Sequence, residues 1–230
     1  MKKRIVLIIL SLVCLAANLK SQTSNLKSNW RDSLATLNKQ IAQQPSSTDL
    51  RLKKAAVNIE LGQWEYAVEE YGRVLELDAK SLPALYFRAF AQNHLRHYDQ
   101  AKADYEQFLR LMPRHFDAQL GLAMTKRNMG RMLEVQDDLN RLVEMFPDSA
   151  LAYASRADFE REQGQLDLAL YDFEEALRLQ PSNVEFLLSK YAVLWALRRY
   201  DEARRLQTDL LRLGVPRSTL TQLQTPQRKR

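Results

Sequence analysis

Five stretches of this chain carry one helical pattern at a constant interval of 34 residues: AVEEYGRVLELDA (67–79), AKADYEQFLRLMP (101–113), VQDDLNRLVEMFP (135–147), ALYDFEEALRLQP (169–181) and ARRLQTDLLRLGV (203–215). They open on Ala67, Ala101, Val135, Ala169 and Ala203, without one insertion. Leu75, Leu109, Val143, Leu177 and Leu211 follow at equal places, then Leu77, Leu111, Met145, Leu179 and Leu213. Apolar residues near i, i+4, i+8 and i+10 form one buried stripe along a helix. Pro113, Pro147 and Pro181 close three of the stretches, where a proline cannot continue a helix. A gap-free register of this kind forces like units to bury like surfaces against one another.

Upstream of each stretch lies a second helix with its own marker. Ala55, Ala89, Ala123 and Ala157 are again 34 apart, and Gly62, Arg96, Gly130 and Gly164 come seven residues after them. A small residue within a helix lets a neighbouring helix approach closely, and Gly supplies the turn that ends the helix. The unit is therefore helix, tight turn, helix. One such pair is too small to bury its own apolar face, and stacking makes the core.

These residues resemble the tetratricopeptide repeat (TPR) family. The period matches, as do the small residue in the first helix, the Ala opening the second, Tyr71, Tyr105 and Phe173 four residues on, and the closing prolines. The resemblance covers 48–217 as five repeats, 48–81, 82–115, 116–149, 150–183 and 184–217. It implies an all-α fold, a right-handed α-solenoid of stacked helix-turn-helix TPR hairpins. SLATLNKQIAQQP (33–45) fits the second helix of a preceding half-repeat, so 22–47 is expected to be a linker and a capping helix. The third and fifth copies depart most: Val135 and Leu139 stand for Ala and an aromatic in one, and Tyr191, Arg198 and Gln207 take the small, Gly and aromatic places in the other.

The ends differ from the body. MKKRIVLIILSLVCLAANLKSQ begins with three cations, runs apolar from Ile5 to Ala17 and then turns polar, the layout of a secretory signal peptide over 1–21. Cleavage after Ala16 or between Ser21 and Gln22 both suit it. The apolar run is shorter than the roughly 20 residues a spanning helix needs, so no stable membrane insertion is expected after cleavage. Cys14, the sole cysteine, lies in that run with Val13 before it, a poor match to a lipoprotein signal. The mature chain then has no thiol for a disulfide or Cys-bound zinc. The net charge of +6 divides unevenly: residues 1–47 carry +6, 48–217 carry −3 and 218–230 carry +3. A nucleic-acid binder needs its basic face on the folded part, so no nucleic-acid partner is expected. Residues 218–230 read as a basic, polar tail.

No catalytic signature emerges: there is no Gly-rich phosphate loop, no nucleophile elbow and no HExxH. His94 and His97 are three apart, but His97 falls in the expected turn and no third ligand is apparent, so neither a metal nor a cofactor is expected. His115 reads as a solvated junction residue. Lys54 and Glu70, Arg88 and Asp104, and Arg156 and Asp172 are each sixteen apart at equivalent places, which predicts scaffold salt bridges between the two helices of a pair.

In the TPR family the first helices line a groove that receives a peptide or a helix. By register, the groove positions here are Leu52, Ala56, Ile59; Tyr86, Phe90, Asn93; Leu120, Met124, Arg127; Ala154, Asp158, Arg161; and Leu188, Ala192, Trp195. The surface is apolar and aromatic at both ends. Arg127 and Arg161 in the middle either sandwich Asp158 or stay free for a carboxylate. Leu52, Ala56, Tyr86 and Phe90 occupy the places of the family's chaperone-tail clamp, so that specificity is not carried over. Replacing Tyr86 and Phe90 with Ala is expected to weaken partner capture and leave melting nearly unchanged. The expected function is a non-catalytic, exported adaptor, periplasmic or secreted, that holds a protein or peptide partner for an envelope or secretion complex. The alternative is a self-associating structural protein that uses the same groove or its ends in a homo-oligomer.

Overall fold

The computed structural model describes residues 28–224; the expected signal peptide and the last basic residues lie outside them. Every element among the described residues is helical. Helix α1 covers 28–43. It is followed by α2 (Thr48–Glu60), α3 (Trp64–Leu77), α4 (Leu82–His94), α5 (Tyr98–Leu111), α6 (Phe116–Asn128), α7 (Met132–Met145), α8 (Ala150–Gln163), α9 (Leu166–Leu179), α10 (Val184–Ala196), α11 (Tyr200–Arg212) and α12 (Arg217–Gln224). From α2 to α11 the helices pair as antiparallel hairpins whose starting residues advance in steps of 34. They fall in two compact units, which divide between Pro113 and Arg114. No helix among the described residues is long and apolar enough to cross a membrane.

The five hairpin turns are one structure built from unlike residues. Gly62, Arg96, Gly130, Gly164 and Arg198 all have a positive φ, 60° at each Arg. The N–H of the residue after each turns back on a carbonyl five residues earlier: Gln63 to Asn58 at 2.8 Å, His97 to Gln92 at 2.8 Å, Arg131 to Lys126 at 3.0 Å, Gln165 to Glu160 at 2.8 Å and Arg199 to Leu194 at 2.9 Å. This is a Schellman closure, which favours glycine because a Cβ is crowded there. The two arginines adopt it because the hydrogen-bonded frame on either side leaves no other path.

Within each unit the second helix of one hairpin packs on the first helix of the next: α3 on α4 in the first, α7 on α8 and α9 on α10 in the second. The alanines marked by the repeat are fully buried within and between the hairpins, Ala55, Ala67, Ala89, Ala101, Ala157, Ala169 and Ala203 among them. Bulk is supplied beside them by Tyr71, Tyr105, Leu139 and Phe173. In the fifth hairpin Tyr191 replaces the small residue, and its ring is also fully buried. The cover comes from α12, which packs against α10, buries Leu220 completely and donates Gln224 Nε2 to the Tyr191 hydroxyl at 2.7 Å. The polar tail expected from residue 218 is thus a docked helix through Gln224. Leu220 and Leu223, three apart, give it an apolar face.

Buried ion pairs tie the two helices of each of the first four hairpins together. Lys54 reaches Glu70 at 2.8 Å, Arg88 is bidentate to Asp104 at 2.6 and 2.7 Å, and Arg156 is bidentate to Asp172 at 2.6 and 2.8 Å. Arg51 adds a second cation on Glu70 at 2.9 Å. In the third hairpin Leu122 holds the basic place, and Lys126 one turn later reaches Asp138 at 2.6 Å instead. In the fifth, Leu206 holds the acidic place and Lys190 turns to Glu174 of α9 at 2.9 Å. Glu70, Asp104, Asp138 and Asp172 are buried, Asp172 at 1 % exposure, so the pairs on these four acids are not weak surface pairs. Removing one cation strands a carboxylate in the core, a loss of about 3–5 kcal/mol in such settings.

Arg156 serves two acids. Glu160 lies 4.0 Å from its Nε, and the Glu160 Oε2 is buried without a partner among the described residues. Burial first, and then the Asp172 charge, push the Glu160 carboxyl up to about 7 against the opposing pull of Arg156. A carboxyl raised on folding favours the folded state fully below its ordinary value of 4.5, and that advantage is lost as pH rises through about 7. Glu160→Gln is therefore expected to match the parent near pH 4.5 and to exceed it at pH 8 by on the order of 1–3 kcal/mol. Urea unfolding at the two pH values measures this, and equal gains at both would contradict it.

Candidate binding faces and pocket

In the first unit the expected groove positions of α2 and α4 form a half-exposed apolar strip. Leu52 and Ile59 are half-buried, Ala56 is exposed, and Phe90 is 36 % exposed. Phe90 belongs to an aromatic group at the turn end of the hairpins. Its ring lies 6.0 Å from Trp64 and 4.7 Å from His94, and His94 stacks on Trp64 at 3.9 Å with the planes 2° apart. His94 is thus a stacking partner, and the left-handed turn at Arg96 ends α4 before His97 can share its face. Among the described residues no group of three His, Cys, Asp or Glu side chains is placed to hold a metal ion.

Tyr86 behaves differently from Phe90. Its ring meets Tyr105 and Phe108 of α5, both at 5.8 Å, and Phe87 at 5.1 Å. Tyr105 and Phe108 are buried, so Tyr86 is the outer layer of the core as much as part of a face. Asn93 is half-buried and holds a partner of its own.

In the second unit the strip is more polar. Leu120, Met124 and Leu188 are half-buried, while Ala154 is buried at 3 % exposure and offers nothing to a ligand. The two arginines do not sandwich Asp158. Arg127 crosses from α6 to Glu162 of α8 at 2.5 Å, and Arg161 turns to Asp158 on its own helix at 2.9 Å. His115 is not a solvated junction residue either; its Nδ1 accepts the Ala118 N–H at 3.2 Å and caps α6.

A cavity of about 600 Å³ opens at the turn end of α8 and α10. Three expected groove residues, Arg161, Ala192 and Trp195, line it with Leu166, Ala196, Arg198 and Tyr200. Gln222, Leu223 and Gln224 of α12 form its remaining wall. Trp195 packs on Tyr200 at 4.9 Å between ring centres. Sequence reasoning found Arg161, Ala192 and Trp195 by register, but not Arg198 and Tyr200, at the turn, nor α12. The signal for α12 was present in the interval, because 34 residues beyond Val184 is Ser218, one residue into that helix.

A tetratricopeptide repeat family model matches residues 94–125 and 136–184. Sperm-associated antigen 1 of Rattus norvegicus is 34 % identical over 101 residues, which make up 44 % of this chain and 11 % of that protein; the chain thus spans about a tenth of its relative's length. Among solved structures, PilW, a widely conserved type IV pilus biogenesis factor, superposes with a TM-score of 0.73 at 18 % identity, covering 86 % of this chain and 92 % of its own. YrrB, a TPR protein with an unusual peptide-binding site, superposes with a TM-score of 0.55 at 20 % identity, covering 82 % and 92 %. These likenesses support the tetratricopeptide repeat family. The structural matches speak for the TPR fold, an all-α array of helical hairpins whose members commonly bind proteins or peptides.

The contacts separate Tyr86 from Phe90, against the expectation that both can be removed without cost. Tyr86→Ala opens a gap over Tyr105 and Phe108 and is expected to lower stability by about 2 kcal/mol. Phe90→Ala, at a partly exposed position, is expected to cost less than about 1 kcal/mol. Chemical denaturation of the two single variants checks the order, and equal losses would refute the distinction.

Proposed function

We propose that this chain is a non-catalytic interaction module that seats a protein or peptide partner along the first-helix faces of its TPR hairpins. One observation carries the reading. At the groove register the first helices keep large apolar side chains half-exposed, Leu52 and Phe90 in one unit and Met124, Leu188 and Trp195 in the other, even though Leu52, Leu188 and Trp195 each rest one side on the core. Exposed apolar and aromatic surface of this kind marks interaction sites. The leader-like residues 1–21 and the likeness to PilW support an exported protein, periplasmic or secreted, that helps to assemble a cell-envelope or secretion complex.

A second reading, self-association, draws on a different surface. Leu168 and Tyr171, three apart on α9, are 55 % and 60 % exposed. Such a pair suits contact with a second copy. Sedimentation at micromolar concentration separates the readings, because a monomer disfavours the homo-oligomer.

The groove reading is tested by a photo-crosslinking residue at position 56 or 124, compared with one at the exposed Glu144 of α7. Capture of the native partner is expected from the first two sites and not from the third. Ala56→Arg together with Phe90→Ala is expected to weaken capture at least tenfold (about 1.4 kcal/mol) and to shift melting by no more than about 4 °C. Equal capture from all three sites would sink the reading.

A further inference from the structure

We infer that α12 is the tethered occupant of a helix-binding seat on α10, held there until a longer amphipathic helix of a protein partner takes its place. The inference rests on the reading of the chain as a binding module and adds a competitor built into the chain.

The seat follows from the surface that α11 offers. Inside the array a first helix packs chiefly on the second helix before it, α4 on α3 and α10 on α9. Leu170 and Phe173 of α9 are buried in the cluster that α9 shares with α10. The same places on α11 hold Arg204, which is exposed, and Gln207, which is half-buried. A further first helix finds no continuous apolar strip to cover there. α12 starts at the register of such a helix, yet it packs chiefly on α10. Its Gln222, Leu223 and Gln224 share the lining of the cavity with the groove positions Ala192 and Trp195. α12 thus ends on the face that the groove reading gives to a partner.

The hold on α12 is light. Leu220 is fully buried, Leu223 rests on the same cluster, and Gln224 donates to the Tyr191 hydroxyl, whereas Arg217, Ser218 and Thr221 are exposed. A helix of eight residues does not persist alone in water, so α12 is folded because it is docked. Its fit is also incomplete. A cavity of about 600 Å³ stays open beside its last turn, and the Trp195 Nε1 is buried without a partner among the described residues. Empty space and an unmet donor both cost the docked state stability. The chain is pinned as far as Val215, which is buried and whose N–H closes on the Leu210 carbonyl at 3.0 Å, so α12 pivots beyond that point. A partner helix longer than α12, with leucine-type side chains three apart, makes the same contacts and fills the cavity as well. Its apparent affinity is reduced by the fraction of chains whose seat α12 still holds.

The test uses the full chain and a fluorescein-labelled peptide of residues 214–226, stapled through the exposed positions 217 and 221 so that it is helical before it binds. In the parent, α12 competes with it at an effective concentration of roughly millimolar order. Fluorescence polarisation is expected to show the peptide binding Leu220→Ala with Leu223→Ala at least about tenfold more tightly than the parent. Gln224→Ala removes one hydrogen bond and is expected to gain about threefold; it carries the test if the double variant loses its helical circular dichroism. Hydrogen exchange on the parent needs no variant. The amides of 221–224 are expected to open at least about tenfold more readily than those of Val193 and Leu194 in α10, and more readily still with the peptide added. Equal binding by the parent and both variants, no binding at about 1 mM, or protection of α12 equal to that of α10 would overturn the inference. A parent dimer that the peptide turns into a monomer would do the same, because the seat would then hold the second copy's α12. The proposed function is judged apart, since position 56 lies in the other unit. Partner capture there with no exchange at α12 leaves a fixed cap and keeps the module; exchange at α12 with no capture from position 56 or 124 keeps the seat and removes the groove reading.

Discussion

The structure depends on one constraint: a two-helix hairpin of this length exposes more apolar surface than it can cover itself. Each hairpin inside a unit therefore borrows the first helix of the next to close its core. Close approach is what makes the borrowed cover effective, and it is set by alanines of zero exposure such as Ala67 and Ala169. Where a backbone can come near, the aromatic ring four residues on fills the space beside it. The 34-residue interval is the trace of that repeated contact, since an insertion would turn the stripe off the neighbour's surface.

The ion pairs are the second layer of the same design. An acid at 70, 104, 138 and 172 is buried at the helix–helix seam and must be met by a cation. The cation moves when its usual place is taken, as Lys126 does for Leu122. The demand thus belongs to the buried carboxylate, and several positions can answer it. Glu160 shows the limit: a second acid beside Arg156 finds that cation already bidentate to Asp172, and its carboxyl shifts toward the neutral form.

At the last hairpin the repeat is interrupted, and the irregularities fall in one place. Tyr191 replaces Ala, Arg198 replaces Gly, and α12 covers Tyr191. The cavity lined by Arg161, Trp195 and Arg198 sits among these departures.

The sequence by itself determined the ten repeat helices, their pairing and their register, because the apolar period and the glycines at three of the five turns are local consequences of residue type. The salt-bridge partners at a spacing of sixteen were legible for the same reason. Only the tertiary structure decided which half-apolar positions face a neighbour and which face solvent: Tyr86 against Tyr105, but Phe90 at the surface. It also decided that Arg127 meets Glu162, that His115 caps α6, and that Leu220 makes a helix of an expected tail. Each of these depends on where a second element lies in space, and a one-dimensional period carries no information on what covers a surface at the point where the period stops.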